Sequence, residues 1–372
     1  MVKFFVCGDI VNQTTNSRFV GDKLAQIISE SDYSICNYEG PELKEGETAS
    51  YPHQEPGTAA YLKQAGFDLM LLANNHITEN DIEGVRYSIE SIKRQGLDYV
   101  GAGLTWEEAY RPHIRDIKGK KFGFVNVCEA QVGQYLKPEQ TFGYAWMGYD
   151  GLFDDVRKLS KQTEYVVVFV HAGLEHFDIP LPEYREFYKS ICDAGASAVI
   201  CSHPHCAQGY EFYDRKPIVY SLGNFFFPPR EKWSQESHSY SVVLEFGDKG
   251  NVALKPVFHR NDGKQVEIDN ESPVDLEKLN AKLGERYDQE VNIMVKRAYE
   301  TLCKNLLIES TGGQNESDSF KQIVRRMLNY TLFRKKYVTG NVERRKALLL
   351  RLFENETYRW IIVRYLKSNY SE

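Results

Sequence analysis

From residue 3 to about residue 230 the sequence repeats one order of segments: a short apolar run, a polar cluster, and a stretch with helical periodicity. The runs are rich in Val, Ile, Leu and Phe without alternation, which is typical of strands covered on both faces. They are "KFFVCGD", "YSICNYE", "DLMLLANNH", "FGFVNVCE", "YVVVFVHAG", "SAVICSHPH" and "PIVYSLGN". Strands that alternate with helices in this way predict an α/β fold in which helices flank the sheet.

The pattern changes after "SLGNFFFPP". The segments "SYSVVLEF", "GDKGN" and "VALKPVFH" predict a β-hairpin, and successive amphipathic helices follow it. The net charge of the whole chain is −6, yet the balance turns basic beyond residue 262, and all nine histidines lie at or before His259. We therefore expect a first domain at 1–262 and a helical accessory domain at 263–372, with a loop at 310–319.

Composition favours a protein without a membrane span. Apolar residues make up 42% of the chain and charged residues 26%, as in globular proteins, and no apolar run reaches about 18 residues. The opening "MVKFFVCGDI" enters a strand directly, so we expect no signal peptide. Seven cysteines, mostly inside apolar runs, favour a reducing compartment, the cytoplasm. We expect no nucleic-acid partner; the apolar face of the tail is a packing surface for its own domain or for a partner protein.

Metal-ligand residue types stand where the predicted strands end. In an open α/β sheet, functional groups gather at the carboxyl ends of the strands. These positions hold Asp9, then Asn37 and Glu39, then Asn74, Asn75 and His76, then His171, and then His203 and His205. One such histidine is usually structural, but five strand ends of this kind predict a metal centre.

The stretch "CSHPHC" at 201–206 raises the possibility of a structural zinc site. Such a site uses thiolates in pairs with spacings such as C-x₂-C, and Cys201 and Cys206 lack that spacing. Pro204 keeps the backbone between His203 and His205 extended, so the two rings can serve adjacent metals, or one metal and a substrate. We therefore interpret the histidines as part of a catalytic metal site.

Seven ordered motifs carry a family resemblance. They are "GDI" at 8–10, "NYEGP" at 37–41, "LANNH" at 72–76, "GAG" at 101–103, "VHAGLEH" at 170–176, "SHPH" at 202–205 and "YSLGNFFF" at 220–227. Over roughly residues 3–230 the chain resembles CapA-type proteins of bacterial capsule and poly-gamma-glutamate synthesis, a branch of the calcineurin-like metallophosphoesterases. The resemblance implies a sandwich of β-sheets flanked by helices, and it does not reach the helical tail.

The resemblance also implies roles for individual residues in a two-metal centre. Asp9 would bind the first metal, with Glu39 or Asn37 at the position of the bridging carboxylate and His205 returning to the first metal. Asn75, His171 and His203 would hold the second metal, and His76 would be the proton donor or transition-state stabiliser. Mn, Zn or Fe suit such mixed N/O ligands, with one or two ions per chain.

Two positions depart from the family pattern. Val11 stands where the typical phosphoesterase has a metal-binding histidine, and Glu79 stands where CapA-type proteins have an aspartate. Glu175 and His176 are candidates for substrate contacts or for ordinary solvated positions. The main hypothesis is a metal-dependent hydrolase acting on a phosphoester, or on an amide or glycan-linked ester of a polyanionic surface polymer. The alternative is a non-catalytic, metal-containing scaffold of a polymer-synthesis complex.

Overall fold

A computed structural model describes residues 1–14, 18–131, 140–228, 237–311 and 334–369. The strands are β1 (Val2–Ile10), β2 (Tyr33–Tyr38), β3 (Leu69–Leu71), β4 (Asp98–Val100), β5 (Ala102–Gly103), β6 (His113–Ile117), β7 (Lys120–Cys128), β8 (Gly143–Tyr144), β9 (Tyr165–His171), β10 (Ala198–Ser202), β11 (Tyr210–Tyr213), β12 (Lys216–Val219), β13 (Asn224–Phe226), β14 (His238–Phe246), β15 (Val252–Asn261) and β16 (Val266–Ile268). The helices of the same part are α1 (Asp22–Ser29), α2 (Thr58–Gln64), α3 (Asp81–Arg94), α4 (Trp106–Tyr110), α5 (Leu152–Ser160), α6 (Pro182–Asp193) and α7 (Leu276–Ala281).

Two mixed sheets form the first part of the chain. One has the order β16-β15-β14-β1-β2-β3-β4, with β13 added beside β1, and the other has the order β11-β12-β10-β9-β7-β6. Neighbours within β1-β2-β3-β4 and within β7-β9-β10-β12 are parallel. Parallel strands bring their carboxyl ends to one edge of a sheet, so each sheet presents one such edge.

Strand β1 is buried on both faces, as its unbroken apolar run predicts. Phe4 and Val6 belong to a core shared with strands of the second sheet, whereas Phe5 and Cys7 belong to a core shared with α1, α2 and α3. Successive side chains of a strand point to opposite faces, which divides the run between two cores. The prediction of an α/β sandwich with flanking helices is confirmed.

The predicted hairpin is also confirmed, since β14 and β15 pair antiparallel from His238–Arg260 to Phe246–Val252. The border of the first compact unit lies after Asp288, further along than the expected boundary at 262. Two contacts within this unit account for the difference. Strand β16 pairs with β15, and the Tyr210 N–H donates to Asn280 Oδ1 of α7 at 2.7 Å. Charge changes near residue 262, but strand pairing continues beyond it.

The second compact unit comprises Ala130–Leu136 and Gln289–Glu372, and in its described part it is helical from residue 289 onward. Its elements are α8, which begins at Tyr287 and ends at Ala298, a π-helical turn at Tyr299–Cys303, α9 (Lys304–Thr311), and two last helices at Arg334–Glu354 and Glu356–Asn369. The expected loop at 310–319 lies outside the described residues from 312 onward. In the described ranges, no helix combines the length and the apolar character that a bilayer crossing requires. All seven cysteines are buried, and none of them forms a disulfide.

Candidate metal centre

An irregularity in β1 places Asp9 at the candidate site. The pairing register between β1 and β2 shifts between Cys7 and Asp9, and Gly8 lies at the shift. A Cβ atom at Gly8 would lie 1.9 Å from the carbonyl oxygen of Gly223, so only glycine permits this approach of the two backbones. Asp9 then pairs with Asn37 of β2 and with Asn224 of β13. Bulges of this kind often re-aim a side chain next to a functional site.

The first group of donors, which we call the acidic subsite, consists of Asp9, Glu39 and His205. Each offers one ligand atom, and these atoms all lie within 4.8 Å of one another. All three side chains are buried. His205 Nδ1 lies 3.6 Å from Asp9 Oδ2 and 2.9 Å from Asn224 Oδ1. A cation at this point would therefore contact two carboxylates and one imidazole.

The second group, which we call the imidazole subsite, consists of Asn75, His171 and His203. His171 Nε2 lies 3.0 Å from Asn75 Oδ1 and 3.1 Å from His203 Nδ1. An amide oxygen and two ring nitrogens thus converge on one point. Asn75 lies in the loop after β3, His171 is the last residue of β9 and His203 follows β10 directly, so both sheets contribute to the subsite.

Asp9 and Asn37 connect the two subsites. Asn37 Nδ2 donates to Asp9 Oδ1 at 2.7 Å and lies 3.2 Å from His171 Nδ1. The His203 N–H donates to Asp9 Oδ2 at 3.4 Å. Of the two residues expected at the bridging position, Asn37 lies between Asp9 and His171, whereas Glu39 groups with Asp9 and His205.

Burial keeps the subsite histidines in the form that binds metals. Burial, followed by the neighbouring His203, holds the pKa of His171 well below its usual value. Burial likewise lowers the pKa of His203 to about 4, although the charge of Glu175 opposes the shift. Both rings are therefore neutral at neutral pH, and neutral imidazole is the ligand form.

Three histidines of this region have left-handed backbones. The φ angles are 68° at His176, 102° at His203 and 59° at His205, so the backbone on either side of Pro204 is not extended as the sequence predicted. Such conformations cost about 1–3 kcal/mol each for residues with a Cβ, and they persist where the surrounding structure imposes them. The His176 N–H donates to the Pro204 carbonyl at 2.9 Å, and its ring stacks with that of His205. The loop after β9 thus packs on the loop after β10 and holds the rings in place.

His76 lies beside the acidic subsite and is partly exposed. Its Nε2 is 3.7 Å from Glu39 Oε1, and its side chain is 20% exposed. Its Nδ1 is 2.5 Å from Glu79 Oε1. A carboxylate on one ring nitrogen orients the imidazole and directs the other nitrogen into the site. This placement suits a side chain that faces a substrate.

The residues present fit the implied metals. The two subsites offer two carboxylates, an amide oxygen and three imidazoles. Mixed oxygen and nitrogen donors of this kind suit Mn, Zn or Fe. Val11 is buried and offers no donor, so in the described residues the acidic subsite relies on Asp9, Glu39 and His205.

Glu129 also lies at this centre, although the sequence motifs did not single it out. Glu129 follows β7 directly and is buried, and its Oε1 lies 3.5 Å from His203 Nε2. The signal was present, because "FGFVNVCE" ends in a carboxylate as the other runs end in polar residues. Glu175 also faces His203 Nε2, at 4.0 Å, but its side chain is 43% exposed.

The fold is a two-sheet α/β sandwich whose strand ends bring Asp, Glu, Asn and His side chains together in a candidate metal site. Residues 4–229 match the family described as "Bacterial capsule synthesis protein PGA_cap". The match covers more than half of the chain, and the protein belongs to this family.

Two curated relatives agree with that family. The chain is 29% identical over 261 residues to the capsule biosynthesis protein CapA of Bacillus anthracis, covering 67% of this chain and 62% of that protein. It is 24% identical over 237 residues to the PGA biosynthesis protein CapA of Bacillus subtilis (strain 168), covering 62% of each. The chain thus spans 62% of the length of either relative.

Among solved structures, a putative 5'-nucleotidase from Staphylococcus aureus in complex with alpha-ketoglutarate is similar with a TM-score of 0.46 and 13% identity. The similarity covers 76% of this chain and 58% of that chain.

Proposed function

We propose that this protein is a metal-dependent hydrolase of phosphoesters that acts in the synthesis of a bacterial surface polymer. The observation that carries the proposal is the adjacency of the two subsites, which share Asp9 through its contacts with Asn37, His203 and His205. The relatives named for capsule and PGA biosynthesis support the biological setting. A polyanionic polymer or a smaller phosphoester is the substrate class that a dicationic centre attracts.

Each subsite has its own residues for a metal. Asp9, Glu39 and His205 would hold one ion, and Asn75, His171 and His203 would hold another. Bound divalent ions would lower the pKa of a water molecule and neutralise the charge that develops on the transferred group. The protein's own contribution is to hold the donors in a buried site with neutral imidazoles, so that little rearrangement accompanies binding.

His76 supplies the acid–base function in this proposal. Its Nδ1–H donates to Glu79, so the ring keeps its orientation while Nε2 faces the site. In the imidazolium form the ring carries a second proton at Nε2, which it would give to the leaving oxygen or use to offset developing negative charge. Positioned side chains of this kind contribute about 10²–10⁴-fold to rate.

The test combines metal analysis with an activity panel. Protein purified without chelators or a His tag is analysed for Mn, Zn and Fe. It is then assayed with phosphomonoesters, phosphodiesters and gamma-glutamyl peptides. We expect about one or two equivalents of metal and turnover of a phosphoester. Less than a tenth of an equivalent, even after reloading, contradicts the proposal.

The buried Val11 favours a second candidate, a metal-containing protein that binds a polymer or partner without catalysis. Because Val11 supplies no ligand atom, the acidic subsite has one donor fewer, and this favours binding of a polymer or partner over catalytic turnover. The same experiment separates the two functions, because this candidate requires bound metal without turnover on any member of the panel.

A further inference from the structure

Glu129 holds a buried carboxylate against a residue of the imidazole subsite. It follows β7, its Oε1 faces His203 Nε2 at 3.5 Å, and both side chains are at most 1% exposed. His203 uses its other ring nitrogen, Nδ1, to face His171. Glu129 and His171 thus face opposite nitrogens of the His203 ring. Glu129 therefore lies behind His203 rather than among the metal donors.

Two hydrogen bonds hold the Glu129 carboxylate, and a third holds its backbone. Its Oε2 accepts a hydrogen bond from the Tyr184 hydroxyl of α6 and another from the Gly173 N–H at 3.3 Å. Its backbone N–H donates to the carbonyl of His171 at 3.1 Å. With Oε2 held in this way, Oε1 is directed at His203.

We propose that Glu129 is a positioning residue that accepts the Nε2–H of His203 and thereby keeps the Nδ1 lone pair directed at the imidazole subsite. A metal-binding histidine commonly donates its other ring N–H to a carboxylate, which sets the tautomer and the ring orientation. This role rests on the proposed metal centre, and it adds a residue that sets the affinity of that centre for metal ions. Glu175 approaches the same nitrogen less closely, at 4.0 Å, and its side chain is 43% exposed.

The chain offers a matched control for a test of Glu129. Glu42 is equally buried, at 1% exposure, and its carboxylate likewise accepts from a tyrosine hydroxyl and a glycine N–H. The partners of Glu42 are Tyr38 at 2.6 Å and Gly57 at 2.9 Å. The two glutamates thus accept from the same kinds of donor, and Glu129 in addition faces a histidine.

The experiment compares Glu129→Gln with Glu42→Gln by two readouts. The first is the affinity for Mn²⁺ and Zn²⁺, measured by calorimetry on the full chain. Glu129→Gln should weaken it by about 10–100-fold, the usual effect of losing such a partner, and Glu42→Gln should not change it. The second is the tautomer of His203 in metal-free protein, followed by long-range ¹H–¹⁵N correlation. We expect the proton on Nε2 in the wild type and a mixture of tautomers in Glu129→Gln.

Each outcome decides one point. Unchanged affinity and an unchanged tautomer in Glu129→Gln overturn the inference and leave the proposed function intact. A wild type that binds no metal contradicts the proposed function, while the tautomer still tests the Glu129–His203 contact. If Glu129→Gln does not fold, the wild-type tautomer and Tyr184→Phe decide instead. A proton on His203 Nδ1 in the wild type, or full affinity in Tyr184→Phe, then overturns the inference.

Discussion

His76 Nδ1 and Glu79 Oε1 lie 2.5 Å apart across one turn of the chain that follows β3. The carboxylate orients a ring whose other nitrogen faces Glu39 at 3.7 Å. Glu79 is the position at which this chain departs from the aspartate of the family pattern. The longer side chain still contacts the ring, so the departure preserves the orientation of His76.

Removal of the Glu79 carboxylate should impair turnover without emptying the metal centre. We expect Glu79→Ala to lower kcat by about 10-fold, since the ring loses its orienting partner but keeps its acid–base nitrogen. Metal content should stay at the wild-type level by elemental analysis. Glu83→Ala is the control, because Glu83 is 61% exposed and pairs with Arg86. A loss of metal in Glu79→Ala would show that Glu79 supports binding instead.

His76 and His203 should separate turnover from metal binding. His76→Ala should keep its metal and lose about 10²–10⁴-fold in kcat, because the ring acts on substrate. His203→Ala should lose metal and turnover together, because Nδ1 is a donor of the imidazole subsite. Metal content and kcat are measured on the same preparations.

His113→Ala serves as the control for His76→Ala. The His113 side chain is also 20% exposed and also faces a carboxylate, Asp98, at 3.2 Å. The His113→Ala variant should keep the wild-type metal content and the wild-type kcat. Metal loss in His76→Ala, or unchanged turnover, would reverse the assignment of roles.

The bulge in β1 should tolerate no side chain at Gly8. Gly8→Ala places a Cβ 1.9 Å from the backbone oxygen of Gly223, so strands must separate. We expect a loss of about 1–3 kcal/mol in the free energy of unfolding, measured by denaturant titration, as for other overpacked cores. Gly247→Ala is the control, since its new Cβ would meet an ordinary contact, 3.7 Å from the Asn251 oxygen. Equal stability of the two variants would contradict the observed approach of β1 and Gly223.

Metal-free protein should lose stability as the pH falls below about 6.5, and His259 should contribute to the loss. Burial lowers the pKa of His259 to about 3, and the Tyr240 backbone and the charge of Asp269 oppose this shift. Between about pH 6.5, the usual histidine pKa, and pH 3 the unfolded chain binds the extra proton, so stability rises with pH and falls on acidification.

The variant His259→Gln tests this contribution. Its free energy of unfolding should fall less between pH 7.5 and pH 5 than that of the wild type, as measured by denaturant titration. His238→Gln is the control, because His238 is 27% exposed and faces Asp269 at 2.9 Å. If His259→Gln keeps the full wild-type loss, acid sensitivity arises elsewhere.

Much of the candidate site follows from a local rule. Each apolar run predicts a strand, and the polar residues that end the run or follow it lie near the carboxyl end of that strand. This placement brings two neighbouring groups together, which include Asp9, Asn75, His171, His203 and His205. The contact between His76 and Glu79 is also local, because the two residues are three positions apart in the sequence. These features depend on the residue types and their order, which the chain carries in itself.

Only the tertiary structure decides which strands are neighbours and which atoms meet. The contact between Glu129 and His203 joins β7 to β10 across β9, and Asn37 reaches His171 from the other sheet. The end of the first unit likewise depends on β16 pairing with β15 and not on composition. Strand order and sheet packing are set by the whole core, which no local pattern encodes, so the residues at strand ends were readable from the sequence and their partners were not.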